Sequence, residues 1–379
     1  MILDELSPSR ARRTLSAGTR ALRALRLDGP LTGVLALILC IGVLVVYSAS
    51  GQNVRMVERQ LGNIVVAVTA LVLLARFSTP QYLRLFAPLA YALGVLLLIV
   101  VDVTGHVGKG AQRWLDLGFM RFQPSEIMKL AVPMICAWYM HDRPLPPSFR
   151  DLVAMAVFIA IPTALVVAQP DLGTALLIAA SGLIVMLLAG LPVSIILLSI
   201  PVLALAAWGG WHFVHAYQRE RILTFLNPMS DRLGAGYHII QSQIAIGSGG
   251  VFGKGYMHGS QAQLDFLPES STDFIFSVIG EEFGLLGQLS VLGLYAFVIG
   301  RSLYLAMQGQ DTFARLTGGA IALSFFVYVF VNAGMVSGIV PVVGVPLPLV
   351  SYGGTSMVTI LAGFGILMSL HSHRKLVGS

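Results

Sequence analysis

The sequence predicts an all-α integral membrane protein of about ten transmembrane helices, and three observations carry that expectation. Its 379 residues are 56% hydrophobic and only 11% charged, with a mean hydropathy of +0.81, outside the usual composition of soluble domains. The apolar residues gather in runs of about 20, the length a helix needs to cross the hydrocarbon core. Arginine and lysine concentrate in alternate connections, as the positive-inside rule expects of a multi-pass chain.

Residues 1–30 form a polar, basic leader. The run 31–49 is too long for a signal-peptide core and follows that leader, so it reads as a retained anchor. Further spans are expected at 60–77, 85–102, 124–140, 151–168, 172–190 and 193–211, then at 274–299, 316–335 and 354–370. Together they make a ten-span body over 31–372, closed by a tail at 373–379. With the N-terminus placed in the cytoplasm, the inner side receives Arg10, Arg12, Arg13, Arg20, Arg23 and Arg26 of the leader. It also receives Arg76, Arg84, Arg143, Arg150, Arg301, Arg315, Arg374 and Lys375. The short outer connections hold only Arg55, Arg59, Lys109, Arg113 and Arg121. Both termini are therefore expected inside, and the net charge of +6 reflects topology and anionic-lipid contact rather than nucleic-acid binding. Cys40 and Cys136 both fall within spans, so no disulfide and no zinc site is expected.

Two outer segments break the pattern of short connections. Residues 212–272 form a long loop, and long loops in compact proteins are usually functional. Within it Tyr237, Ile240 and Ile244 recur at helical spacing beside Gln241 and Gln243, which predicts a helix on the membrane surface. The second segment, SGIVPVVGVPLPLVSYGG, is apolar yet interrupted by Pro341, Pro346 and Pro348. Irregular backbone is tolerated at membrane depth only when sheltered by protein or lining a cavity, so a re-entrant loop is expected there.

Several polar residues are not explained by composition. Asp273 opens the eighth span, where the helix dipole favours a carboxylate and Ser271 or Thr272 could cap; catalysis is the other reading. Glu281 and Glu282 lie deeper in the same span, and intramembrane acids are costly and by default functional. Glu126 and Lys129 are three apart and share a helix face, so they can neutralise one another. Arg113 follows a glycine turn and precedes Trp114, as an interfacial anchor or an anion ligand would. Asp171 could cap the sixth span. The stretch GSGGVFGKG fails the phosphate-loop pattern, because Ser248 and Gly255 occupy required Gly and Ser/Thr positions; its N–H groups and Lys254 could still meet a pyrophosphate.

The stretches GAQRWLDLGFMRFQPSEIMKLA, AQPDLGTAL, IAIGSGGVFGKGYMHGSQAQLDFLPE, TDFIFSVIGEEFGLLG and VNAGMVSGIVPVVGVPLPLVSYGG, with the terminal HSHRK, resemble the SEDS family of peptidoglycan polymerases, nearer its elongation members than its division members. The resemblance implies an enzyme of the bacterial cytoplasmic membrane that joins lipid II units into β-1,4 glycan strands with inversion. It implies Asp273 as the base, with Arg113, Lys254, Arg221 and Gln123 or a divalent cation (Mg or Mn) holding substrate and departing pyrophosphate. Glu126, Lys129, Glu281, Glu282, Asp171 and Ser351 would support the cavity, the two glutamates by pairing with Lys129 or neighbouring groups. It further implies no organic cofactor, and a class B penicillin-binding protein and the elongation machinery as partners. One departure stands out: Ser271 occupies a position where family members commonly carry histidine, so no role of that histidine carries over. A lipid-precursor flippase or a non-catalytic scaffold would fit the same apolar pattern.

Overall fold

In the computed structural model, the described residues are 25–104, 106–108, 111–116, 121–195, 197–198, single positions between 201 and 224, 235–264, 266–267 and 269–373. They are almost wholly helical. Helices α1 (Gly29–Ala49), α2 (Val54–Phe77) and α3 (Pro80–Thr104) lead to three short strands, β1 (His106–Gly108), β2 (Ala111–Asp116) and β3 (Arg121–Phe122). Then come α4 (Pro124–Met140), α5 (Phe149–Ala168) and α6 (Leu172–Leu188). After the long loop follow α7 (Ala235–Gly249), α8 (Ser260–Gln263), α9 (Ile275–Met307), α10 (Thr312–Val336) and α11 (Gly354–Ser372). Nine of the ten predicted runs coincide with a described helix, and 193–211 lies largely outside the described residues. Among the described residues seven helices are long and apolar enough to cross a membrane, and the chain is a multi-pass membrane protein.

The helices overrun the apolar windows because caps and polar end turns extend them. Asn53 accepts from Met56 N at 3.3 Å and starts α2 at Val54, ahead of the run expected from 60. Asp28 caps α1 and Asp311 caps α10, while Ser148 and Asp151 form a capping box on α5, each satisfying otherwise orphaned amides. Asp28 also receives both arms of Arg301 from the lower half of α9, at 3.1 and 2.7 Å. This bidentate pair ties α1 to α9 at the arginine-rich end of the bundle. Helix α11 packs closely on α2, where a Cβ at Gly365 would stand 2.6 Å from Leu71 O; small residues permit such approach.

Two features lay outside the sequence reading. The strands form an antiparallel sheet in the order β1-β2-β3 between α3 and α4. Helix α9 is broken at Gly284 (φ 66°, ψ −164°), a conformation open essentially to glycine alone. The glycine-rich loop fills the break. Lys254 N and Gly255 N donate to Glu281 O and Glu282 O, both at 3.0 Å, while Leu285 N and Leu286 N donate to Gly250 O and Val251 O at 3.0 and 3.2 Å. The loop amides of Lys254 and Gly255 therefore satisfy helix carbonyls and are not presented to a phosphate, while the loop carbonyls of Gly250 and Val251 satisfy helix N–H groups.

The expected helix near Tyr237 exists as α7, but its inward face is Ile239, Ser242 and Ala245, and Ile244 is exposed. Ser242 Oγ donates to Val336 O at 2.8 Å, so α7 is docked on the helical body. The proline-broken segment 337–353 is buried at Val345, Leu347, Leu349 and Val350. Tyr295 Oη donates to Pro348 O at 2.7 Å, and a Cβ on Gly42 of α1 would lie 2.7 Å from Leu349 O. Irregular backbone is thus sheltered by protein on several sides.

Candidate active site

Asp273 lies in the turn that enters α9. The N-cap is Phe274, without a side-chain cap bond, so the capping role expected of Ser271 or Thr272 is not met. Thr272 Oγ1 turns to Glu269 Oε2 at 3.0 Å, and the carbonyls of this turn are claimed by the proline-broken loop. Tyr352 N donates to Ser271 O at 2.9 Å, and Ser351 Oγ to Thr272 O at 2.5 Å. Asn332 Nδ2 donates both to Asp273 O at 2.8 Å and to Val345 O at 2.7 Å. Ser351 is itself held, accepting from Leu347 N at 2.8 Å through its hydroxyl and from Gln60 Nε2 at 3.2 Å through its carbonyl. Asp273 is thereby fixed from α10 and the loop at once. Its Oδ2 faces Gly344, where an added Cβ would stand 3.4 Å away; at φ 72° that position favours glycine.

A second cluster abuts the same loop one residue away. Asp171 caps α6 through Thr174 N at 3.3 Å, as expected, and also accepts from Gln123 Nε2 at 3.2 Å. Arg113, on β2, approaches Asp171 Oδ2 at 3.6 Å and donates to Pro170 O at 2.6 Å, with about a third of its side chain exposed. A Cβ on Gly173 would meet Val343 O at 2.5 Å, so the start of α6 touches Val343 while Asp273 faces Gly344. Three residues chosen from sequence, Arg113, Gln123 and Asp171, therefore come together beside the loop that carries the Asp273 contact.

Glu126 and Lys129 pair as their spacing predicts, at 2.6 Å with both side chains buried, and the ammonium lies 5.3 Å from the centre of the Tyr328 ring. Glu126 lines a cavity of about 720 Å³ whose polar wall includes Asn63, Trp114 and Thr355 and whose remainder includes Val66, Leu130 and Met134. Among the described residues the carboxylate arm Glu126 Oε2 has no hydrogen-bond partner.

The deeper acids do not pair with Lys129. Glu281, fully buried, accepts from Lys254 Nζ at 2.7 Å, Ser260 Oγ at 3.0 Å and Gln261 N at 3.1 Å, while Glu282 accepts from Ser48 Oγ of α1. Together they clamp the glycine loop and α1 beside the break in α9. Lys254, expected to meet substrate, is engaged by Glu281. Arg221 lies outside the described residues. Among the described residues no three His, Cys, Asp or Glu side chains cluster as a metal site requires, and Glu281 and Asp171 already accept from amine, amide, hydroxyl or guanidinium donors. Asn332 and Gln60, both fully buried, were missed, although a lone amide within an apolar run is itself a signal.

Comparison with known proteins bears on the whole chain. Residues 30–376 match the family model FTSW_RODA_SPOVE, described as cell cycle protein. The peptidoglycan glycosyltransferase MrdB of Escherichia coli K12 is 51% identical over 352 residues, covering 93% of this chain and 95% of that protein. Its Helicobacter pylori (strain ATCC 700392 / 26695) namesake is 39% identical, with 75% of each chain covered. Among solved structures, a peptidoglycan synthase complex described as coordinating polymerization and crosslinking contains a chain with a TM-score of 0.81, 32% identity and coverage of 92% of this chain and 98% of that one. The Thermus thermophilus rod shape determining protein RodA gives a TM-score of 0.70 at 29% identity, covering 92% and 98% of the two chains. On these grounds the chain belongs to the FtsW, RodA and SpoVE family, the SEDS proteins, and is RodA-like within it.

Proposed function

We propose that this protein is a peptidoglycan glycosyltransferase that polymerises lipid II at the outer face of the bacterial cytoplasmic membrane during elongation, with Asp273 as general base. The observation that carries the reading is the fixing of the Asp273 carbonyl by Asn332 and of the adjoining Thr272 carbonyl by Ser351, beside a second cluster that presents Arg113. A base must be held in place to take a proton during attack.

In the proposed step the 4-hydroxyl of the acceptor sugar attacks the anomeric carbon of the lipid-linked strand, and its proton passes to the Asp273 carboxylate. The new C–O bond forms as the bond to pyrophosphate breaks, and the electron pair leaves with the lipid pyrophosphate. An α-linked donor gives a β-linked product, so a single displacement with one base suffices. The leaving group departs as an anion and needs cationic donors; Arg113, with a third of its side chain exposed, can offer a guanidinium fork. The half-open cavity of about 720 Å³ beside Glu126, polar at one end and apolar at the other, suits a prenyl chain beneath a polar head. No step is routed through a metal.

Proposed with this reading are a class B penicillin-binding protein as crosslinking partner, assembly with the elongation machinery, and cytoplasmic placement of both termini. The test is purified protein with fluorescent lipid II, glycan chains being resolved by gel. A ladder of products is expected. Transbilayer movement of lipid II in vesicles without any chain formation would replace the polymerase by the flippase.

A further inference from the structure

We propose that the arginine-rich end of the bundle carries a built site for one anionic phospholipid, in the groove between α3, α4 and α5 lined by Arg84, Trp138, Tyr139, Asp142, Arg143 and Phe158. The groove encloses about 700 Å³ and is graded in polarity. Its charged rim is Arg84, Asp142 and Arg143, near the ends of α3 and α4. Phe158 lies nine residues into α5, about 13 Å along the axis at the helical rise. The apolar wall therefore runs down into the depth of the bilayer, as an acyl chain beneath a headgroup requires.

The wall is constructed rather than incidental. The Phe158 ring meets Tyr91 edge-on at 5.7 Å and Tyr139 at 5.8 Å, and Tyr91 Oη donates to Phe158 O at 3.1 Å. Trp138 is 38% exposed on the same face, a position suited to an amphipathic ring at the membrane interface.

The rim carries two guanidinium groups. Arg84 contacts Nε2 of His141, and among the described residues no carboxylate lies within ion-pair distance of it. Arg143 gives one arm to Asp151 at 2.7 Å and lies over the Tyr139 ring at 4.0 Å, leaving further donors of its five in a side chain that is 45% exposed. Against them stand Asp142, 94% exposed and 3.6 Å from His141 Nε2, Asp311, 4.0 Å from His141 Nδ1, and Asp151 on Arg143. Two guanidinium groups above an aromatic slot match a phosphodiester with attached acyl chains, and basic pockets between helices on this face suit anionic headgroups. Arg84 is the selective element, since it has no internal carboxylate to satisfy it.

The experiment uses the full-length protein in phosphatidylcholine vesicles containing a minor fraction of acyl-brominated phosphatidylglycerol or acyl-brominated phosphatidylcholine. The fluorescence of Trp138 is isolated by subtracting Trp138→Phe. Brominated phosphatidylglycerol is expected to quench it preferentially, and Arg84→Gln to reduce that preference about fivefold, the worth of one basic side chain at an anionic membrane surface. Arg84→Lys should keep most of it. Arg150→Gln, an exposed arginine at the same end but outside the groove, should change it little. Equal quenching by the two lipids, or equal losses from Arg84→Gln and Arg150→Gln, overturns the site in favour of diffuse surface charge. Release of the quenching by millimolar inorganic phosphate overturns the lipid assignment in favour of a soluble anion.

Discussion

Lys129→Met removes the only cation paired with Glu126 among the described residues and leaves a carboxylate that is 7% exposed facing Tyr328 and the apolar floor of the cavity. Breaking a buried ion pair by deleting one partner costs about 3–5 kcal/mol. A desolvated cation–π contact such as that of Lys129 with Tyr328 adds up to about 2 kcal/mol. Methionine fills most of the lost volume, so little of the loss is a cavity effect. A deficit near 4 kcal/mol corresponds to a fall in midpoint on the order of 10 °C for a chain of this size. The assay is thermal unfolding of purified protein in one detergent, followed by size-exclusion fluorescence. The double variant Glu126→Gln with Lys129→Met should recover most of the loss, since no uncompensated charge remains. A single variant that melts with the wild type, or a double variant no better than the single, refutes this reasoning and places the ammonium in water.

Three further outcomes follow from the same geometry. Arg113→Ala should raise the apparent KM for lipid II about tenfold or more, the worth of a hydrogen bond to a charged group, and Arg113→Lys should restore only part of it; an unchanged KM in a stable variant moves the pyrophosphate site elsewhere. Gly284→Ala should cost roughly 1–3 kcal/mol in backbone strain alone and further disrupt the glycine loop, because its Cβ would stand 2.4 Å from Gly253 N; a wild-type melting temperature would argue against a fixed break in α9. Asp28→Asn should destabilise at neutral pH and remove part of the acid sensitivity. Burial pushes the Asp28 carboxyl up, but the Arg301 hydrogen bond, the Leu31 N–H and nearby positive charge hold it below its ordinary 3.8. Its contribution is thus complete above about that value and lost as pH falls through the lower folded one, so coincident acid-unfolding curves for Asp28→Asn and wild type would contradict the clasp.

What could be read from the sequence was what depends on near neighbours. Glu126 and Lys129 are three residues apart, and Asp171 adjoins the helix it caps, so spacing alone placed both. The apolar windows found the helices but cut them short, because caps at Asn53 and Asp28 and polar turns such as Arg55–Arg59 are invisible to hydropathy. Lys254 and Glu281 are 27 residues apart, and their meeting depends on a helix break that no local propensity announces; Gly284 reads like any glycine of a membrane helix. Of the two alternatives left open for the glutamates, Lys129 or neighbouring groups, only the second is therefore met. Asn332 was legible as a lone amide in an apolar run, but its two acceptors, Asp273 O and Val345 O, become neighbours only when the proline-broken loop folds into the bundle. Which face of α7 turns toward the helical body was not legible, for a related reason. Ile239, Ser242 and Ala245 share a helical stripe as well as Tyr237, Ile240 and Ile244 do, and only the docking against α9 and α10 chooses between them.

The most direct measurement is lipid II polymerisation by Asp273→Asn, made beside wild type and Asp273→Glu in the same detergent. Asparagine keeps the size, and the bonds from Asn332 and Ser351 reach backbone carbonyls, so the turn should remain and the variant should melt near wild type. Its amide cannot accept the proton of the attacking hydroxyl, and general-base help is worth about 100-fold to 10,000-fold. Asp273→Glu restores a base displaced by one methylene, and an error near 1 Å can cost about 100-fold. A folded Asp273→Asn with essentially no glycan product is the predicted result; glycan synthesis by that variant at a rate close to wild type would show that Asp273 is not the base.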